Sequence, residues 1–219
     1  MKLVFVLAAL GATLSAQVAR EANAGYRDED SRKRVATTLG DEGRDVRQKP
    51  AELIKRLDIR QGMSVADIGT AVGYMLPHLS KAVGPAGTVW AEDIFPDFLK
   101  QAKERNTALS NVRYVEGNEK SVELPSGSID RALILDAYHH FDFPKQMLDS
   151  IAKALRPGGQ LAIVEYEKNE KSMSGGRALQ HIRLTRAEFV REIEGYGLKA
   201  ISVTDFIPEV QWIGIFEKR

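Results

Sequence analysis

The chain predicts an α/β domain built on a mostly parallel, doubly wound sheet. Three observations carry that expectation. From about residue 44 onward, apolar runs of strand length alternate with segments of helical period. The run IDRALILDA, residues 129–137, is apolar enough for a sheet centre covered on both faces. The stretch VADIGTAVGY, residues 65–74, is a short apolar strand with a carboxylate, Asp67, near its end, and it breaks straight into a glycine turn.

At 219 residues the chain holds one domain with a full core and a modest N-terminal extension. Lys2 precedes an apolar segment over residues 3–14, and the small residues Ser15 and Ala16 follow. That is the layout of a secretory signal peptide, with cleavage expected near Ala16 or Ala19 and export to the periplasm. The apolar run falls short of the roughly 20 residues that span a bilayer, so an inner-membrane anchor is the second reading, and membrane contact is expected only if the leader stays uncleaved. The division expected is a leader at 1–19, a polar linker at 20–43 and the folded domain at 44–219. With 31 basic and 30 acidic residues the formal charge is +1, and no basic field exists to hold a nucleic-acid backbone. The absence of cysteine excludes thiol nucleophiles, cysteine-held zinc, disulfides and a lipobox.

Within the domain, apolar spacing predicts a helix over 45–57, with Pro50 in a first turn, leading into the strand at 65–68. Gly69 permits the sharp exit from that strand, and Gly73 lets the next helix approach closely. A helix over 75–83 ends at GPAG, and a strand over 88–93 follows. That second strand ends in Glu92 and Asp93, about twenty residues after the glycine turn, where a carboxylate can accept both hydroxyls of a ribose. A helix over 97–106 and a strand over 112–116 lead to EGNE, residues 116–119. The central run at 129–137 then delivers Asp136, Tyr138, His139 and His140 to the carboxyl edge of the sheet, the edge where open α/β folds bind ligands. Beyond a helix over 144–155 come a Pro-Gly-Gly turn and a fifth strand ending near Glu165. Residues 168–184 read as a polar loop, Thr185 and Glu188 as a capping box for a helix to residue 194, and 198–205 and 212–217 as a closing hairpin.

The run from Asp67 to Gly73 resembles motif I of the class I S-adenosylmethionine-dependent methyltransferases, D/E-x-G-x-G-x-G, with Ala71 in place of the middle glycine. The resemblance extends from about Arg44 to Arg219. It includes AEDIFP, similar to the family's second motif, and AYHHFDFP, similar to the HH-F-x-x-P tract of small-molecule methyltransferases and unlike the N/D-P-P-Y/F tract of enzymes that act on nucleic acid. The resemblance implies a Rossmann-like, seven-stranded sheet of order 3-2-1-4-5-7-6 with strand seven antiparallel. It implies S-adenosylmethionine as the cofactor and a small-molecule methyl acceptor. Asp67, Gly69, Thr70, Ala71 and Gly73 would hold the methionine part, Asp93 with Ile94 the ribose, and Asn118 with Glu119 the adenine. Asp136 would fix the cofactor's amino group.

His139 or His140 is the candidate general base, since imidazole titrates near neutral pH. Adjacent residues point to different sides, so one of the two is expected to act and the other to pack or cap. Asp136 and a histidine supply too few ligands for a metal site, and no metal is assigned. Two other functions fit this fold class. A nucleotide-dependent oxidoreductase would need a phosphate cradle that the turn lacks. A non-catalytic S-adenosylmethionine sensor or interaction module differs from an enzyme by turnover alone.

Overall fold

A computed structural model of the protein describes residues 17–41 and 43–218. The expected leader therefore lies, through residue 16, outside the described residues. No helix among the described residues is long and apolar enough to cross a membrane. The sheet has seven strands in the order β3-β2-β1-β4-β5-β7-β6, as the family resemblance implied. They are β1 (Ser64–Ile68), β2 (Thr88–Asp93), β3 (Val112–Glu116), β4 (Ile129–Leu135), β5 (Leu155–Tyr166), β6 (Leu198–Ile207) and β7 (Gln211–Lys218). The first five pair in parallel, and β7 runs antiparallel to both β5 and β6.

Alternation along the central strands sorts side chains into two apolar layers. Ala66, Ile68, Ala132, Ile134, Leu161 and Ile163 face one way and pack on α6 (Pro144–Ala154) and α8 (Arg186–Gly195). Val65, Val89, Ala91, Leu133, Ala162 and Val164 face the other way, against α3 (Pro50–Arg56) and α4 (Leu76–Val83). Helix α6 buries Met147, Leu148, Ile151 and Ala154, one stripe at helical spacing. Register then decides where chemistry sits. Ile68 of β1 lies level with Glu92 of β2 and Ile134 of β4, so residues just past these positions converge at one carboxyl edge.

Gly73, at φ 78°, seats α4 against α5 (Pro96–Arg105) and the residue that follows it. A Cβ there would lie 2.7 Å from Asn106 Nδ2 and 2.8 Å from Leu76 Cδ1, so its close approach is to protein.

Four sequence expectations are corrected. The single helix over 45–57 is two, α2 (Arg44–Gln48) and α3, separated by Lys49 at φ 46°. Pro50 disfavours helical geometry at the residue before it, and the chain breaks there. Strand β4 stops at Leu135 rather than 137, because Asp136 turns into the left-handed region at φ 55°. The Pro-Gly-Gly segment expected as a turn is instead the irregular start of β5: Ile129 pairs with Leu155, and the register resumes at Arg131 with Gln160. The expected polar linker is folded. Residues Ala22–Tyr26 form a 3-10 turn and Glu29–Leu39 form α1, whose N-cap Asp28 accepts the Ser31 N–H. This arm is held by an apolar cluster, in which Tyr26, Ala36 and Leu39 meet Val72 and Phe98, and by specific polar contacts. Arg32 Nε donates to Asp97 Oδ2 at 2.8 Å, and the Ala19 N–H donates to Asp142 Oδ1 at 3.1 Å.

Candidate active site

At the carboxyl edge a cavity of about 130 Å³ opens between the sheet and the N-terminal arm. Six acidic residues line it, and four of them, Asp67, Glu92, Asp93 and Asp136, stand at or next to the carboxyl ends of β1, β2 and β4. The glycine turn is built on three of them. Asp67 Oδ2 accepts from Thr70 Oγ1 at 2.6 Å, Glu92 Oε2 accepts the Gly69 N–H at 3.3 Å, and Asp93 Oδ2 accepts the Ala71 N–H at 2.8 Å. Asp93 Oδ1 also accepts the Phe95 N–H at 3.0 Å, which fixes the exit from β2. Ala71 stands at φ 48°, the left-handed conformation that favours glycine. The alanine has thus kept the backbone of a glycine turn, at a steric cost of roughly 1–2 kcal/mol.

Asp136 is held from the far side of the sheet. Its Oδ1 accepts from Gln211 Nε2 at 2.6 Å, and Gln211 Oε1 in turn accepts from Gln48 Nε2 at 3.0 Å. Arg44 Nη2 lies 3.8 Å from Asp136 Oδ2 and stacks its guanidinium over the Tyr74 ring. This cation does not balance four acids. Burial pushes Asp67 and Asp93 up to about 6 and Asp136 up to about 7, and it drives Glu92 well above the usual carboxylate range. Glu92 Oε1 is also buried without a hydrogen-bond partner. That oxygen packs against Gly117, where a Cβ would not fit.

The other half of the cavity is aromatic and imidazole-lined. Tyr26 stacks on Phe95 with ring centroids 6.1 Å apart and meets His140 edge-on at 4.7 Å. His140 Nδ1 lies 2.8 Å from Asn23 Oδ1. His139, behind it, is buried with Nδ1 2.7 Å from Glu165 Oε2, and its Nε2 lies 3.2 Å from Nε2 of His181. Burial holds His140 well below the ordinary imidazole value and lowers His181 to about 4, so both rings are neutral at pH 7.

Of the residues that the sequence put forward, Asp67, Gly69, Thr70, Ala71, Asp93, Ile94, Glu119, Asp136 and His140 line the cavity. Gly73 sits behind the turn against Asn106, and His139 lies beneath His140. Asn118 is not at the cavity wall. Its Nδ2 donates to Glu123 Oε1 at 2.9 Å and its Oδ1 accepts the Lys120 N–H at 3.0 Å, so the side chain serves its own turn. Glu92, ranked behind Asp93 in the sequence, carries the unpartnered oxygen. Sequence reasoning missed Asn23, Tyr26, Arg44, His181 and Gln211. The first two lie in the segment read as a linker, and the others arrive through contacts without a local signature.

Comparison with known proteins agrees with this geometry. Residues 66–163 match the family described as "Methyltransferase domain". Over 113 residues the chain is 30% identical to the ubiquinone/menaquinone biosynthesis C-methyltransferase UbiE of Citrobacter koseri, which covers 50% of this chain and 45% of that enzyme. It is 35% identical, also over 113 residues, to an uncharacterised 37.1 kDa protein of a Streptomyces fradiae transposon, covering 52% of this chain and 33% of that one. The match thus spans less than half the length of these curated relatives. Among solved structures, a SAM-dependent methyltransferase from Aquifex aeolicus superposes with a TM-score of 0.76 at 24% identity, over 83% of this chain and 95% of that one. Residues 66–163 are therefore similar to a methyltransferase domain, and the chain has the fold of the class I S-adenosylmethionine-dependent methyltransferases.

Proposed function

We propose that the protein transfers a methyl group from S-adenosylmethionine to a small-molecule acceptor. The observation that carries this reading is the set of four carboxylates, Asp67, Glu92, Asp93 and Asp136, that line the cavity around the glycine turn. Such a wall suits a ligand that brings a sulfonium, an ammonium and several hydrogen-bond donors. Asp93 and Glu92 would take the ribose and adenine donors, while Asp67, the turn from Gly69 and Asp136 would take the methionine part. When bound, the cofactor supplies an electrophilic methyl: the acceptor heteroatom or carbon loses its proton and bonds to that carbon, and the electron pair of the broken C–S bond stays on sulfur.

The acceptor would enter on the imidazole side, between Tyr26, Phe141 and His140, walls that suit an apolar or aromatic body. There the His139–His140 pair governs the acceptor's proton, with His140 at the surface and His139 fixed by Glu165. The orientation supplied by these walls accelerates the reaction independently of any base. Replacing His140 with asparagine should lower turnover by roughly a hundredfold while leaving S-adenosylmethionine affinity within about twofold. Turnover equal to the parent on a validated acceptor would reduce catalysis here to positioning.

We also propose that the leader directs export. The Ala19 contact with Asp142 favours cleavage nearer Ala16, which preserves it, over cleavage after Ala19, which removes it. Fractionation followed by N-terminal sequencing of the native protein decides the matter, and a chain that retains Met1 in the cytoplasm refutes export.

Cofactor binding should fall when the acidic wall is altered. Asp93→Asn is expected to weaken S-adenosylmethionine by on the order of 2 kcal/mol in titration calorimetry, since charge-assisted hydrogen bonds are lost. Thermal stability should also drop somewhat, because Asp93 ties the Ala71 and Phe95 N–H groups. An unchanged affinity would remove Asp93 from the site, and no affinity in the parent would remove the proposed function.

The same wall sets a pH dependence. Asp67, Asp93 and Asp136 have folded values of about 6, 6 and 7, above their unfolded values, so the native state holds more protons between roughly pH 4 and 7. Their contribution to stability is present at low pH and is lost as pH rises through about 6 to 7. Asp136→Asn keeps an acceptor for Gln211 and carries no charge. Its melting temperature should match the parent at pH 5 and exceed it at pH 8, by on the order of 2 kcal/mol in unfolding free energy. A difference that stays the same at both pH values would show that Asp136 is not the group that titrates.

A further inference from the structure

Three of the four histidines in the chain, His139, His140 and His181, converge beside the cavity, with one ring nitrogen from each within 4.8 Å of the others. They come from two separate elements: the 3-10 turn Tyr138–His140 after β4, and the C-terminal residue of α7 (Ala178–His181). Hydrogen bonding fixes the tautomers of the first two. His139 Nδ1 faces the carboxylate Glu165 Oε2 at 2.7 Å and must carry a proton, so Nε2 is the ring nitrogen left to ligate. Glu165 is itself immobile: Oε2 also accepts the His139 N–H at 3.1 Å, and Oε1 accepts the Tyr166 N–H at 2.7 Å.

For His140 the argument runs through Asn23. The Asn23 amide nitrogen donates to the His140 carbonyl at 3.0 Å and to Asp142 Oδ2 at 3.2 Å, which identifies Oδ1 as the amide's acceptor end. His140 Nδ1, 2.8 Å from that oxygen, therefore bears the proton, and its Nε2 is a bare lone pair. Two ring nitrogens with their partner nitrogens already engaged thus meet a third ring, with His139 Nε2 3.2 Å from His181 Nε2. Ligands at about 2.05 Å in a tetrahedron around zinc are about 3.3 Å apart, so this pair is already at the edge length of such a site. A small ring shift of His140 or His181, the two less buried residues, brings the third nitrogen to the same spacing.

We propose that His139, His140 and His181 bind a divalent transition-metal ion of the zinc type at the acceptor end of the cavity. Three neutral imidazoles and an open fourth position are the donor set of a catalytic zinc. Glu165 and Asn23 supply the outer carboxylate and carbonyl that orient two of the rings. The fourth position faces the cavity, which His140 lines. An acceptor hydroxyl, thiol or amine bound there releases its proton to water as it ligates, so no oxidant or reductant is needed. This role rests on the methyl-transfer reading; the metal site does not. The sequence assigned no metal because His181 lies 42 residues beyond His139, with nothing local to join them.

The test uses the full chain without an affinity tag, stripped with a chelator and titrated with zinc chloride by calorimetry and with cobalt chloride by visible absorption. The parent should bind one equivalent of zinc, and its cobalt form should show the intense visible bands of a four-coordinate ion. His181→Ala and His181→Gln, at a partly exposed ring, should weaken binding by more than about 100-fold. Glu165→Gln should weaken it by about 10–100-fold, the range for an outer partner. His78→Ala, at the remaining histidine, should bind as the parent does. Zinc bound equally by the parent and both His181 variants, binding lost in His78→Ala, or no binding by the parent would each overturn the proposal. S-adenosylmethionine titrated into the same samples separates the two readings. Cofactor binding without zinc leaves methyl transfer standing and removes the metal; zinc binding without cofactor does the reverse.

Discussion

The structure depends on burying four carboxylates at the ends of adjacent parallel strands. Removing an acid from water is costly unless hydrogen bonds or opposite charge compensate. Here the compensation is mostly backbone. Gly69 and Ala71 donate their N–H groups to Glu92 and Asp93, so the acids of β2 hold the turn that follows β1. The ligand wall and the loop that shapes it are one hydrogen-bonded unit. This is why Ala71 adopts a glycine's backbone: the position of its N–H is set by Asp93, and a side chain at that position must accept φ 48°.

Compensation by charge is incomplete, and that connects the fold to its ligand. Arg44 is 3.8 Å from Asp136, yet Asp136 still sits at about 7, so desolvation outweighs the guanidinium. A cationic ligand is what such a wall lacks. The arm matters for the same reason. Tyr26 and Asn23 close the cavity over His140, and Asp142 holds both the Ala19 N–H and the Asn23 amide, which keeps water away from the acids and the imidazoles together. Exclusion of water strengthens every electrostatic contact inside.

What the sequence disclosed follows from locality. Strand and helix identity is written in the spacing of neighbours, and β2 and β3 emerge with the bounds that the apolar pattern predicts. Asp67, Asp93 and Asp136 were legible because each lies at or next to the end of its own strand, and parallel pairing brings such ends to one edge. Lys49 was misread because a helical pattern continued across it, while the restriction imposed by Pro50 acts on the residue before. The arm was misread because its docking uses polar pairs, Arg32 with Asp97 and Asn23 with His140, which look the same in composition as a solvated linker. Asn118 was carried over from a motif, yet the turn that it makes with Lys120 and Ser121 uses the side chain locally. His181 and Gln211 meet their partners across 42 and 75 residues, separations at which single-sequence pattern carries no information.

The two halves of the cavity impose a condition on each other. A metal dication and a sulfonium placed side by side repel, and in a dry site that repulsion is strong. The structure places a carboxylate at each half. Glu165, fully buried, touches His139, and Asp136 lines the cavity with the glycine turn, raised by its own burial and further by Glu165. With a cation on either side, the ionised form of Asp136 would be favoured. Loading one half therefore changes the charge state that the other half meets. A metal at the proposed site and the cofactor would thus be linked through Asp136, whose backbone at φ 55° turns out of β4 at the cavity wall.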